Sequence, residues 1–549
     1  MPSDLPRTPD TLPGAWRRRV EASPDAPAIA YFDRVLTARE ADDLSDAIAC
    51  ALAERGVGRG DRVGVRLQNI PQYALTLLAL WKLGAAALPV NPMYRGEELR
   101  RLVDDAAPVG IVCADTDHPE VRATLAGSPV RWVLGTSDRD LQGRDDPRVL
   151  TAERAAPSPD GDLLALAREH AGRRPPRAAV DPGDTALLTY TSGTTGPPKG
   201  AMNTHANLLA VTSTFGRHVD LRPGDAVLAL APLFHITGAV INAALALVHD
   251  TLLVFAHRFR ADVVLEALVE HRVTFTIGSI TAFNALYDHP AAGAGHFRGV
   301  RALYSGGAPI PPSTVERFRE RFGVYIHNAY GMTETSSGVI AVPLGGEAPV
   351  DPASGSLSIG RPLPGVTARA VDPDGNPVAP GEQGELEISG SSVVPGYRDS
   401  PRATAAAFPG GRLRTGDVAV IDGDGWVYLV DRLKDQINVS GYKVWPREVE
   451  DVLHRHPAVF EAAVVGRPDP YRGESVVAYV SLASGARATG EELAGFAREH
   501  LAAYKRPREV HIVDTLPKTP TGKIRRRALR DTPVPSTPSV PTTPSGGGA

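Results

Sequence analysis

Cysteine is nearly absent from this chain of 549 residues: there are two, Cys50 and Cys113. Two isolated thiols build neither a disulfide framework nor a metal knuckle, and they fit a reducing cytosol, so a cytoplasmic protein is expected. Long apolar runs are missing as well. The longest uncharged one, Ile236–Val248, has 13 residues between His235 and His249. A bilayer needs about 20, so this run reads as a buried helix or strand, and no integral membrane segment is expected. Met1 to Trp16 is rich in Pro, Asp and Thr and has no apolar stretch of signal-peptide length. An excess of either charge is missing too. The 59 Lys and Arg against 63 Asp and Glu leave −4, which gives no reason to expect nucleic acid or an anionic membrane as partner.

Lysine is also scarce. Seven of the 59 cations are lysine (Lys82, Lys199, Lys434, Lys443, Lys505, Lys518 and Lys523) and the rest are arginine. Lysine is a compact point charge on a flexible stem, arginine a planar fork. Against a background of arginine, a lysine is read either as coding chance or as a group kept for its own chemistry.

At about 150 residues per domain the length allows two to four structural units. The first part alternates helix and strand signals. Thr37-Ala-Arg-Glu40 is a capping box, followed by Leu44, Ile48 and Leu52 at helical spacing and a stop at Gly56. A strand Val63–Leu67 follows, then a helix from Gln72 to Leu83 stopped by Gly84, a strand Ala86–Val90, a helix Glu97–Asp105 and a strand Val109–Ala114. Such alternation predicts a mostly parallel sheet covered by helices. Residues 134–183 are polar and are read as a partly mobile surface region. From Gly360 to Tyr428, short strands and the turns Asp372-Pro-Asp-Gly375 and Asp422-Gly-Asp-Gly425 predict a β-rich subdomain. A smaller α+β unit follows, with helices starting at Pro446 and at the capping box Thr489–Glu492. The expected division is residues 1–431, a smaller unit 432–531 and a disordered Pro/Gly tail 532–549.

The strongest chemical signal is Tyr190-Thr-Ser-Gly-Thr-Thr-Gly-Pro-Pro-Lys-Gly200, directly after a strand. Its glycines let the backbone turn tightly and expose N–H groups, its hydroxyls add donors and Lys199 adds charge, the ingredients of a polyphosphate cradle. The Gly-Lys-Ser/Thr spacing of a Walker loop is absent. Read from the residues alone, the segment is either such a cradle or a solvent-exposed turn.

With it come, in order, Leu83-Gly-Ala-Ala86, Pro232-Leu-Phe-His235, Ser305-Gly-Gly-Ala-Pro309, Asn328-Ala-Tyr-Gly-Met-Thr-Glu334, Arg414-Thr-Gly-Asp417, Asp431-Arg-Leu-Lys-Asp435 and Pro517-Lys-Thr-Pro-Thr-Gly-Lys523. Together with Thr37–Glu40, this series resembles the motifs of the adenylate-forming enzymes: acyl- and aryl-CoA synthetases, luciferases and peptide-synthetase adenylation domains. The resemblance implies two half-reactions. A carboxylate attacks the α-phosphorus of ATP to give an acyl-adenylate and pyrophosphate, and a thiol then displaces AMP. Joining two anions calls for charge neutralisation and positioning rather than a protein nucleophile.

The resemblance also implies roles. Thr191, Ser192, Gly193, Thr194, Thr195 and Lys199 belong to the ATP loop. Thr333 contacts the α-phosphate and Glu334 holds Mg²⁺ between phosphates. Tyr330 stacks on adenine while Asn328, Ala329, Gly331 and the Gly306, Gly307, Ala308 backbone surround it. Asp417 takes the ribose hydroxyls, and Arg432 reaches the ribose or phosphates. Lys523 bridges the substrate carboxylate and the α-phosphate. After rotation at Lys434, a face with Ser440, Gly441 and Tyr442 admits the pantetheine of CoA, and Lys443 meets a CoA phosphate or merely caps the surface. His235 gates the acyl pocket, with Phe234, Gly238 and Ser279 in its wall. His205 reads as a helix-start or packing residue.

The same comparison speaks to the acid. Amino-acid-activating relatives carry a buried Asp where this chain has Phe234-His235, so an amino acid is disfavoured. Asn438-Val-Ser-Gly441, Val90-Asn-Pro-Met-Tyr94 and Gly441-Tyr-Lys-Val-Trp-Pro446 resemble bacterial fatty-acyl-CoA synthetases. The expectation is a medium- or long-chain fatty acid activated with ATP and Mg²⁺ and passed to CoA by a monomer or homodimer. The alternatives are an aryl acid, or a carrier-protein thiol or amine as acceptor. Intact Lys523, Glu334 and Asp417 argue against a non-catalytic binding protein on the same scaffold.

Overall fold

A computed structural model describes residues 11–191, 198–352, 356–432, 435–440, 442–519 and 524–531. The chain divides into two compact units, the first ending at Lys434 and the second starting at Asp435.

Among the described residues the first unit builds three sheets. One has six strands in the order Trp132–Thr136, Gly110–Ala114, Arg62–Arg66, Ala86–Pro89, Thr185–Tyr190 and Gly200–Thr204, parallel except for the last pair. A second has nine strands, with a parallel centre (Ala302–Gly306, Phe275–Gly278, Ala226–Leu228, Leu252–Phe255) and antiparallel margins. The third is a four-stranded antiparallel sheet, Val366–Val371 to Val427–Arg432, and is the β-rich part. This is the α/β architecture that the alternation predicts.

The local signals explain the elements. Thr37 and Glu40 close their capping box on the helix Ala38–Glu54. The helix Pro71–Leu83 starts with proline at its first position and stops at Gly84, whose φ of 71° is left-handed. Nearly every residue of that helix is buried, and Lys82 completes its packing. The Lys82 ammonium, 12% exposed, lies 2.7 Å from Asp42 and 2.6 Å from Asp46 and ties this helix to its neighbour. Lys82 is therefore a structural lysine.

The apolar run is helical, in an unusual way. Gly238–Ala244 forms a π-helix that continues as the α-helix Leu245–Val248. Such wide turns are rare and cluster at functional sites. Its end is capped from a distance by the buried guanidinium of Arg19, which donates to Ala246 O at 2.7 Å and Leu247 O at 3.2 Å. Among the described residues no helix is long and apolar enough to cross a membrane.

One expectation is corrected. Residues 134–183 carry a strand end, the helix Leu163–Glu169 and the buried side chains Leu134, Val149, Leu150, Leu163 and Leu164. The charges that made this region look solvated neutralise one another or the body of the unit. Arg148 pairs with Asp146 at 2.6 Å and Glu266 at 2.5 Å, and Arg144 pairs with Glu270 at 2.5 Å.

His205 opens the helix His205–His218 and is fully buried. Its Nδ1 accepts the Leu12 N–H at 3.4 Å. Burial pushes its pKa down to about 4, partly offset by Asp184. The unfolded chain binds this proton at about 6.5, so the neutral ring contributes stability above that pH and loses it as pH falls towards 4. Urea midpoints should therefore drop from pH 6.5 to 4, and a His205→Gln variant should show a flatter profile. Superimposable profiles would refute this.

The second unit pairs Ile437–Val439, Tyr442–Val444, Val459–Asp469, Gly473–Leu482 and Glu509–Ile512 in one sheet. The helices Pro446–Leu453 and Gly490–His500 cover it over a core including Val449, Leu453, Val464, Ala478 and Leu493. Thr489 and Glu492 form the expected capping box. Two lysines are paired within this unit, Lys505 with Glu448 and Lys518 with Glu461 at 2.8 Å.

Candidate active site

The phosphate-cradle segment leaves the strand Thr185–Tyr190 and returns in the antiparallel strand Gly200–Thr204. The Thr191 N–H donates to Lys199 O at 3.0 Å, which closes the base of the loop. Ser192, Gly193, Thr194 and Thr195 lie outside the described residues, as do Lys434, Gly441, Lys523 and the side chain of Arg432.

Parallel strands bring the next two segments together. Ser305 is paired with Asn328 and Gly306 with Ala329. A Cβ on Gly306 would stand 2.9 Å from Ala329 O, so this pairing needs glycine. Gly307 follows with φ 83°, and its exposed backbone and the neighbouring Ala308 continue the strand end. Tyr330 joins this group to the third sheet: its hydroxyl donates to Asp417 Oδ2 at 2.7 Å. Asp417 lies on the strand Leu413–Ile421, opposite Arg432. Asn328 is buried, and its amide makes a long contact of 3.4 Å to Ser358 O.

The strand His327–Met332 then turns sharply through the 3₁₀ segment Thr333–Thr335. Gly331 is required there, because a Cβ would meet Ser337 O at 1.8 Å. The Asn203 side-chain amide fixes the turn, donating to Thr333 O at 2.9 Å and Ser336 Oγ at 3.0 Å. Glu334 is buried, and its Oε1 accepts the Tyr397 hydroxyl at 2.7 Å. Lys199 Nζ stands 5.1 Å from the centroid of the same tyrosine ring. One aromatic side chain thus faces the cation of the phosphate-cradle segment and bonds the carboxylate of the Asn328–Glu334 segment.

The acyl segment is held by Asn69. Its amide donates to Ala229 O at 2.8 Å and Ala231 O at 3.0 Å, and its Oδ1 accepts the Leu233 N–H at 2.8 Å. Phe234 and His235 follow, both half-buried, and His235 Nδ1 accepts the Thr237 N–H at 3.3 Å. Gly238 cannot be larger, since a Cβ would meet Pro232 O at 2.1 Å. The Ser279 hydroxyl caps the helix Ile280–Asp288, accepting the Ala282 N–H.

In the second unit Ser440, Tyr442 and Lys443 share one hairpin, with Val439 opposite Tyr442 and Asn438 opposite Lys443. Ser440 has φ 52°, and its N–H donates to Arg472 O at 2.8 Å. Tyr442 is 59% exposed and stacks on Tyr504 at 4.8 Å. Lys443 is exposed.

Three residues of the first unit escaped the sequence reading: Asn69, Asn203 and Tyr397. The only local signal was the Pro-Gly pair before Tyr397.

The family of AMP-binding enzymes matches residues 16–398, and the AMP-binding enzyme C-terminal domain matches residues 448–523. A feruloyl-CoA synthase of Amycolatopsis sp is 35% identical over 518 residues, 94% of this chain and 98% of that protein. A long-chain-fatty-acid–CoA ligase of Escherichia coli O6:H1 is 35% identical over 553 residues, 96% of this chain and 97% of that protein. The crystal structure of ATP-bound MatB from Rhodopseudomonas palustris is similar with TM-score 0.84 at 28% identity, covering 95% of this chain and 98% of that one. The chain belongs to the AMP-binding enzyme family and is an acid–thiol ligase that works through an adenylate, using ATP and CoA.

Proposed function

We propose that this ligase activates a medium- or long-chain fatty acid. One observation supports the reading: the wide helix Gly238–Ala244, which follows Phe234 and His235 in the chain, is buried and carries no charged side chain. A lining of this kind would favour an apolar chain, and it holds no charged side chain to pair with a substrate ammonium or a second carboxylate. The resemblance to a long-chain-fatty-acid–CoA ligase supports it. An aryl acid is the second reading, supported by equal identity to a feruloyl-CoA synthase.

The residues divide the labour as follows. The loop Thr191 to Thr195 and Lys199 hold the β- and γ-phosphates, and Thr333 and Lys523 hold the α-phosphate. Tyr330 stacks on adenine beside Asn328, and Asp417 accepts from the ribose hydroxyls. Glu334 suits a hard cation: it is a buried carboxylate whose Oε2 carries no hydrogen bond from the described residues. Mg²⁺ held there with phosphate oxygens would neutralise the charge that repels the incoming carboxylate. The carboxylate oxygen bonds to the α-phosphorus as the bond to pyrophosphate breaks. CoA sulfur then bonds to the acyl carbon and AMP leaves, with Ser440, Gly441 and Tyr442 lining the approach of the thiol.

Pyrophosphate release from a panel of octanoate, palmitate, ferulate, malonate and phenylalanine tests the acid. Fatty acids should give the highest kcat/KM. A higher value for ferulate would replace this reading with the aryl one, and no release from any acid would refute adenylation. AMP release should depend on free CoA; dependence on a carrier protein instead would refute the second step. Asp417→Asn should raise KM for ATP about tenfold, the scale of one hydrogen bond to a charged acceptor, and leave KM for CoA alone. An unchanged KM for ATP would remove Asp417 from the nucleotide site.

A further inference from the structure

Tyr397 is more than packing. Its backbone is fixed on both sides: its N–H donates to Thr404 Oγ1 at 3.0 Å, Met202 N–H donates to Gly396 O at 3.2 Å, and Arg398 N–H donates to Gly200 O at 2.8 Å. The segment therefore lies along the strand that closes the phosphate loop. Gly396 makes this possible with φ 153°, and a Cβ there would come 2.5 Å from Thr404 Cγ2. Phe408 packs against the ring at 5.6 Å between centroids. The side chain is buried, so neither contact it makes is incidental.

Those two contacts differ in kind. The ring face attracts the Lys199 ammonium at 5.1 Å. The hydroxyl donates to Glu334 Oε1 at 2.7 Å and occupies that oxygen, so the cation-binding capacity of the carboxylate is directed to Oε2.

We infer that Tyr397 is a positioning residue for the first half-reaction: through one rigid ring it sets the Lys199 cation and the Glu334 carboxylate relative to each other, and hence the charge clamp on the leaving pyrophosphate. The inference rests on the roles proposed above for Lys199 and Glu334. Pyrophosphate leaves before CoA reacts, so the second half-reaction does not need this clamp.

Two variants separate the contacts. Tyr397→Phe keeps the ring and removes the hydroxyl; Tyr397→Leu removes both. Calorimetric titration with ATP, with and without Mg²⁺ and with no acid present, reads binding apart from turnover. For Tyr397→Phe, binding of ATP alone should be unchanged and the gain on adding Mg²⁺ should shrink about tenfold. Pyrophosphate release should fall by about 10- to 100-fold, the range for losing a hydrogen bond to a buried charge. Thioester formation from supplied acyl-adenylate should stay at the wild-type rate. Tyr397→Leu should also weaken ATP alone, because Lys199 loses its ring.

A Tyr397→Phe enzyme with wild-type Mg²⁺ dependence and pyrophosphate release would overturn the inference. So would equal loss of both half-reactions together with a lower melting midpoint, the mark of a packing role. Failure of the wild-type enzyme to release pyrophosphate from any acid would instead overturn the parent reading, and the calorimetric comparison would still decide Tyr397.

Discussion

Lys523→Ala should lower pyrophosphate release by about 10²- to 10³-fold, the scale for removing one preorganised charge from a developing anionic centre. Thioester formation from supplied acyl-adenylate should continue. The physical reason is the meeting of two anions. A carboxylate approaching the α-phosphate needs one cation that serves both, and a single ammonium on a flexible stem can do so. Arginine would hold one partner as a fork and leave the other. Lys523→Arg should therefore not restore adenylation, although it keeps the charge. Stopped assays of the two half-reactions check this. Parallel loss of both steps, or full activity of Lys523→Arg, would show that the lysine does not have this role.

Arg19→Met should cost the folded state roughly 3–5 kcal/mol, the range for orphaning several buried acceptors at once. Arg19 is 5% exposed. Besides Ala246 O and Leu247 O, it donates to Thr251 O at 2.7 Å and Pro27 O at 3.3 Å. Four carbonyls from three places in the chain thus converge on one guanidinium, and of these Ala246 O also accepts the Thr251 hydroxyl at 3.3 Å. Two of them lie at the end of the helix Leu245–Val248, where carbonyls have no helical partner and the dipole favours a cation. Burial lowers the pKa of Arg19 only to about 10, so it stays charged at neutral pH. Arg19→Lys keeps a charge but not the fork and should recover only part of the loss. The urea midpoint of the first unit measures both. A midpoint unchanged in Arg19→Met would mean that water replaces the guanidinium at no cost.

What could be read from the sequence was what is local. Capping boxes at Thr37 and Thr489, the glycine stop at Gly84 and the proline start at Pro446 each lie within a few residues of what they control, and all appear in the structure. The candidate site was legible in the same way, as contiguous segments at strand ends. What joins those segments was not. Asn69 reaches Ala229 across 160 positions, Asn203 reaches Thr333 across 130, and Tyr397 reaches Glu334 across 63. No period or spacing marks such a link, because it exists only once three sheets are assembled. Residues 134–183 failed for a related reason. Composition counts charges but not their partners, and Arg148 looks solvated until Glu266 is placed beside it.

The paired lysines bear on the chemistry in another way. An acyl-adenylate is a mixed anhydride, a reagent that acylates free amines. An amine tied into an ion pair is less free to reach it. Lys82 is paired with Asp42 and Asp46, Lys505 with Glu448 and Lys518 with Glu461, and these are three of the seven lysines in the chain. Guanidinium groups stay protonated and do not compete. The enzyme thus carries most of its positive charge in a form inert to the electrophile it makes. Nearly half of the remaining side-chain amines are kept out of reach by a neighbouring acid.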